Sequence, residues 1–216
     1  MSKYKALLTD LDGTLVRSED CICDALVCAF AHVKARVPEK KEIMNMFGLP
    51  VEQMLMKLSG VKSSETERIE EFIAEYKRQY PIHMENAKLI DNAFETVKYV
   101  YGKGLPVCLI TSERRKNAEH ILNQLNLLSM IPKIVSRDDV KNFKPDPEPL
   151  VKGAEKCNLT VEECVYIGES PFDIEAGVRA GVFTVAVASG SWPKESLMVC
   201  NPDIFVDDIS EIKEFF

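Results

Sequence analysis

Short apolar runs that each stop at a hydroxyl or charged residue constrain this chain more than any other feature. Residues 4–9 lead to Asp10, 105–110 to Thr111, and 165–167 through Gly168 to Glu169, while 133–136 and 182–187 add two further runs. Each is too short for a buried helix and reads as a strand buried on both faces. Between them the spacing turns helical. Ile90, Phe94, Val97 and Tyr101 run up to Gly102, then come Ala118, Ile121, Leu122 and Leu125. Pro147 opens a segment carrying Leu150, Val151 and Ala154, and another helix is expected over 173–180. Repeated strand–helix units predict an α/β fold with a parallel sheet covered by helices on both faces. Ligands of such open sheets bind beyond the carboxyl ends of the strands.

Residues 17–86 follow a different pattern. Ile22, Leu26, Ala29, Phe30, Val33 and Val37 fall on one helical face. Pro38 and Pro50 are each placed to open a helix, with a break at Gly48. Ser64 with Glu67 reads as a capping box, and Ile69, Phe72, Ile73, Tyr76 and Tyr80 keep helical spacing until Pro81, where the helix is expected to stop. An all-helical insert therefore leaves the sheet after its first strand, and the stripe of Tyr76 and Tyr80 reads as helix packing.

At 216 residues there is room for one core and a modest inserted subdomain. A net charge of −7 argues against a nucleic-acid or anionic-membrane surface. The apolar stretch before Asp10 is too short for a signal sequence or membrane span, so a cytoplasmic location is the default expectation. Seven cysteines without paired metal-ligand spacing read as reduced and mostly structural rather than as a zinc site. Oligomeric state is not encoded in any motif, and a monomer is the default expectation.

Four strand ends carry chemistry. Asp10 and Asp12 flank Leu11 ahead of Gly13, so that one carboxylate can act as nucleophile and the other as general acid and base; an acidic turn is the plainer alternative. Thr111 and Ser112 offer hydroxyls and backbone N–H groups to a phosphoryl group just before a helix, although such residues are also ordinary helix caps. Lys144, in the Pro-stiffened run Lys144-Pro145-Asp146-Pro147, can neutralise an aspartate and an incoming phosphate, or simply sit on the surface. Glu169 and Asp173, four residues apart, can hold a hard cation or orient the lysine, or can serve the helix dipole alone.

In that order and spacing, these motifs resemble the haloacid dehalogenase-like superfamily, specifically its phosphoglycolate phosphatase and β-phosphoglucomutase-like branch with an inserted helical cap, over nearly the whole chain. The resemblance implies a Rossmann-like parallel sheet core flanked by helices over 1–16 and 87–216, and an all-α helical-bundle cap over 17–86. It implies a Mg2+-dependent phosphatase acting on a small phosphorylated metabolite such as phosphoglycolate, a sugar phosphate or pyrophosphate. Asp10 would attack phosphorus; Asp12 would protonate the leaving oxygen and then activate water. Thr111 and Ser112 would bind phosphoryl oxygens, and Lys144 would hold the charges together. Mg2+ would be bound by Asp10, the backbone carbonyl of Asp12 and Glu169, with Asp173 in or beside the first shell.

Glu169 departs from the family's usual Asp, and its extra methylene must be absorbed locally because magnesium tolerates little distortion. Arg17 stands where an acidic residue is common and reads as a solvated hinge residue or a contact for substrate charge. The insert would act as a lid that excludes water, with Phe47-Gly48-Leu49-Pro50 either dipping toward the core as a specificity loop or forming an ordinary turn. His32 and His83 read as structural or solvated. Two other readings share these motifs: a β-phosphoglucomutase-like phosphosugar mutase, and a noncatalytic phosphate-binding protein on the same scaffold.

Overall fold

A computed structural model describes residues 3–47, 49 and 51–216, apart from the side chain of Glu52. In chain order the elements are β1 (Ala6–Thr9), β2 (Val16–Arg17), α1 (Glu19–His32), α2 (Lys40–Met44), α3 (Val51–Ser59), α4 (Thr66–Met84), β3 (Lys88–Leu89), α5 (Ala93–Gly102), β4 (Val107–Ile110), α6 (Arg115–Gln124), β5 (Lys133–Val135), α7 (Glu148–Lys156), β6 (Cys164–Gly168), α8 (Pro171–Ala180), β7 (Phe183–Val187), α9 (Lys194–Met198) and β8 (Ile204–Val206). They divide into two compact units, one running up to Arg17 and resuming over Lys88–Phe216, the other Ser18–Ala87.

The first unit is built on a six-stranded sheet in the order β5-β4-β1-β6-β7-β8, every pairing of which is parallel. Strand β1 sits at the topological switch: the chain builds outward to β5 on one side, then returns to place β6 against the other side of β1. The crevice at such a point opens beyond the strands' carboxyl ends, where Asp10 lies. Leu7 and Leu8 of β1 have no exposed surface, and Leu8 packs with Cys108, Ile110, Leu150 and Tyr166. A fully buried leucine contributes about 1.5–3 kcal/mol by leaving water, which fixes the central strand firmly. The edge strand β8 follows no apolar run long enough to mark it in the sequence. It is set instead by pairing with β7 and by Asp203, whose Oδ2 accepts a 2.7 Å bond from the Thr184 N–H. The antiparallel ribbon of β2 and β3, with Val16 opposite Leu89 and Arg17 opposite Lys88, marks where the chain leaves and re-enters this unit. Arg17 is exposed and its guanidinium is 3.7 Å from Asp91.

The second unit is all helical, with α1 packed along α4 through Phe30 and Phe72, whose ring centroids are 4.9 Å apart. Several expected boundaries move. Helix α1 ends at His32, and Lys34, at φ 51°, turns the chain away, so Val37 lies outside the helix and is exposed. Pro38 does not open α2. Glu39 caps it, with the Glu42 carboxylate accepting from the Glu39 N–H at 2.8 Å. Ser64 is likewise not the cap of α4, which starts at Thr66 with Glu65 in that position. Pro81 lies within α4 rather than ending it. Proline removes one N–H and costs about 3 kcal/mol, but the wholly buried Met84 beyond it and the buried Tyr80 before it keep the last turn packed. His83 lies in this unit, its Nε2 3.9 Å from Cys28 Sγ. The Phe47–Pro50 turn falls partly outside the described residues, since Gly48 and Pro50 are among those not described. No described helix is long and apolar enough to cross a membrane.

Candidate active site

Asp10, Thr111 and Glu169 each stand one residue past a strand of the first unit, β1, β4 and β6, whereas Lys144 comes from the loop before α7, well beyond the end of β5, and Asp173 from the first turn of α8. The Asp10 N–H donates to the Ile167 carbonyl at 3.1 Å, so the backbone just past β1 is still held by β6, and the residue is only 6% exposed. Beyond it the chain doubles back: the N–H groups of Leu15 and Val16 both donate to the Leu11 carbonyl at 2.9 Å, and Gly13 donates to Val16 at 2.8 Å. Asp12 sits half-buried in this turn.

On the other side of β1, the Thr111 N–H donates to the Val135 carbonyl at 2.9 Å, fixing it one residue past β4. Its buried Oγ1 accepts from the Glu113 N–H at 3.0 Å, which leaves the hydroxyl proton as a donor. Neither Thr111 nor Ser112 caps α6. That helix begins at Arg115 with Arg114 at the cap, so the two hydroxyl residues belong to a loop that precedes it.

Lys144 is 4% exposed, far from the surface lysine that was the plainer alternative. Its Nζ donates to Asp10 Oδ1 at 2.7 Å and to Asp173 Oδ1 at 2.6 Å, and lies 3.5 Å from the Ile110 carbonyl and the Tyr166 hydroxyl. Asp173 reaches it from the first turn of α8. Both Asp173 oxygens are engaged: Oδ1 also accepts from the Tyr166 hydroxyl at 2.6 Å, and Oδ2 accepts from the Ser170 N–H at 3.0 Å and Ser170 Oγ at 2.6 Å.

One ammonium thus serves two buried carboxylates, and they share it unequally. Burial disfavours the Asp173 anion, but Lys144 and the hydrogen bonds from Ser170 and Tyr166 hold its carboxyl below the ordinary range. Asp10 has fewer donors. Burial, followed by the Asp173 charge, outweighs Lys144 and pushes it up to about 7, with the Asp12 charge adding to the rise. For Lys144 itself burial works against the charge, but Asp10 and Asp173 prevail and raise it above an ordinary lysine. The Tyr166 phenol is driven well up by burial and by the Asp173 and Asp10 charges, so it stays a neutral donor.

Of the residues singled out from the sequence, the structure joins Asp10, Lys144 and Asp173 in one network, and Asp12 acts on Asp10 through its charge. Thr111 stands at the end of β4, the neighbour of β1, and Glu169, 3% exposed, at the end of β6 on β1's other side. Tyr166 and Ser170 were not singled out. Ser170 with Asp173 is a readable S-x-x-D capping pattern, and a tyrosine inside a wholly buried strand must find a partner for its hydroxyl.

A model of the family described as haloacid dehalogenase-like hydrolase matches residues 7–187. A provisionally named pyrophosphatase PpaX of Clostridium perfringens is 30% identical over 209 residues, covering 96% of this chain and 95% of that protein. Pyrophosphatase PpaX of Halalkalibacterium halodurans is 28% identical over 213 residues, with 97% and 95% covered. The fold is shared with the crystal structure of a predicted phosphoglycolate phosphatase from Haemophilus somnus, at a TM-score of 0.90 and 21% identity over 99% of this chain and 98% of that one.

Proposed function

We propose, since the chain belongs to the haloacid dehalogenase-like hydrolase family, that it is a magnesium-dependent phosphatase of a small phosphorylated metabolite, working through an aspartyl-phosphate on Asp10. The observation that carries this reading is the buried Asp10–Lys144–Asp173 network, in which a carboxylate at the switch point of the sheet is held by a cation that is itself anchored from behind. Phosphoryl transfer asks for positioning and charge neutralisation, and this arrangement supplies both.

In this mechanism an Asp10 carboxylate oxygen forms a bond to phosphorus as the bond to the leaving oxygen breaks, and Asp12 gives that oxygen its proton. Asp12 then takes a proton from water, whose oxygen bonds to phosphorus while the Asp10–phosphorus bond breaks, releasing phosphate. The Thr111 hydroxyl and the Ser112 backbone hold phosphoryl oxygens, and Lys144 offsets their charge. The carboxylates of Asp10 and Glu169 and the main-chain carbonyl of Asp12 form an all-oxygen donor set suited to Mg2+. Among the described residues no three His, Cys, Asp or Glu side chains form a ready-made cage; magnesium typically takes only one or two carboxylates and completes its shell with water and phosphate oxygens. Bound there, it would supply positive charge to the phosphoryl oxygens. Asp173, with both oxygens engaged, acts beside that shell as the anchor of Lys144. The family resemblance gives the role of cap to the helical unit Ser18–Ala87.

Tyr166→Phe removes one of the donors that favour the Asp173 anion, so kcat should fall about tenfold with KM little changed, as measured by steady-state kinetics. The function itself is tested by p-nitrophenyl phosphate hydrolysis in chelator and after Mg2+ addition, followed by pyrophosphate, phosphoglycolate and sugar phosphates. Pyrophosphate comes first because the relatives above carry that name. Turnover that disappears in chelator and returns with Mg2+ is expected. No turnover of any member with any divalent cation would leave a noncatalytic phosphate-binding protein, and isomerisation of a sugar phosphate without release of phosphate would make it a mutase.

A further inference from the structure

The Glu169 side chain runs between two glycines from different strand-end loops. A Cβ added at Gly190 would fall 1.7 Å from Glu169 Oε2 and 2.3 Å from its Cδ. One added at Gly13 would fall 2.8 Å from Cδ and Cγ and 3.0 Å from Oε1. Gly13 lies in the turn after β1 and Gly190 in the loop after β7, and Ser189 Oγ donates to the Gly13 carbonyl at 2.7 Å, tying the two loops together beside the carboxylate. Gly13 also needs glycine for its backbone, at φ +78°, whereas Gly190 has no left-handed φ, so what it provides is space. Glu169 is itself only 3% exposed.

We infer that Gly190 is a positioning residue for Glu169, and that the two form a matched pair in which the acidic side chain, from Cγ outward, uses the volume a Cβ at 190 would fill. This rests on the reading above that Glu169 helps to hold a divalent cation. The carboxylate is confined from both sides, and its position is set by the absence of a side chain at 190. Glu169 Cγ, where an aspartate would carry its carboxyl carbon, is itself 2.7 Å from the Gly190 Cβ position, so either acid needs this space, whereas alanine at 169 removes all three atoms of the contact.

A double-mutant cycle tests this on the full chain, with Mg2+ binding followed by calorimetry for the native protein, Gly190→Ala, Glu169→Ala and the double variant. Gly190→Ala should weaken Mg2+ binding about tenfold or more in the native background and by no more than about twofold further in the already weakened Glu169→Ala background. Thermal melting in chelator gives a reading that needs no metal: Gly190→Ala should lower the midpoint by on the order of a few degrees with Glu at 169 and leave it unchanged in the Glu169→Ala background. Equal losses in both backgrounds, or no loss in the native one, overturn the pairing. A native protein that binds no divalent cation overturns the metal reading instead, and the melts in chelator still decide whether the two residues are coupled.

Discussion

Asp10→Asn should lower kcat for p-nitrophenyl phosphate by about ten-thousandfold or more, because it removes the atom that bonds to phosphorus while keeping the shape of the side chain. The same substitution has an opposite effect on stability. Asp10 is held at about 7 in the folded protein against an ordinary 3.8, so the folded state binds this proton more tightly than the unfolded chain. As pH rises from about 4 the unfolded chain ionises first, and stability is lost progressively until the folded carboxyl has ionised too, above about 7. Asparagine cannot ionise and escapes that loss. In chelator the Asn variant should therefore melt above the native protein at about pH 8, with the difference shrinking toward about pH 5, as thermal melts would show. A difference that ignores pH would mean that Asp10 does not carry the raised affinity for a proton.

Lys144→Met should be the single change to the site that costs the most stability. The ammonium lies between two carboxylates in a region where its own side chain is 2% exposed, and methionine fills similar volume without the charge. Removing one member of a buried charged cluster leaves the others uncompensated, at a cost of about 3–5 kcal/mol. Denaturant midpoints should register that loss, and kcat should fall about a thousandfold because nothing replaces the fixed positive charge. Adding Asp173→Asn should recover part of the stability and none of the activity, since it relieves the repulsion without restoring the cation. Near-native turnover by Lys144→Met would remove the network from the mechanism.

Much of the sheet was legible because parallel strands buried on both faces become continuous apolar runs, as in Ala6–Thr9, Val107–Ile110 and Cys164–Gly168. Strand β8 was not. At Ile204–Val206 it is a half-buried edge whose existence depends on β7 rather than on its own pattern. The helix signals misled where packing overrode local preference: Pro81 sits inside α4 because buried residues flank it, and Ser64 yields the capping position to Glu65. At the site, residue types and spacing pointed to Asp10, Lys144 and Asp173, but not to their sharing of a single ammonium, which depends on the β1–β6 register and on where α8 begins. Glu169 was visible as a departure, while the glycine that accommodates it lies 21 positions further along the sequence (190 − 169), on a loop that no local pattern connects to it.

The aspartyl-phosphate is the centre of this account, and trapping it is the most direct measurement. Asp12→Asn should still accept a phosphoryl group from p-nitrophenyl phosphate, whose leaving group needs little protonation, but should lack the base that activates water for its removal. Acid quenching followed by peptide mass spectrometry should then find one phosphoryl group on the peptide containing Asp10, and none when Asp10→Asn is added. A phosphoryl group on another residue, or turnover that persists in the Asp10→Asn protein, would contradict it.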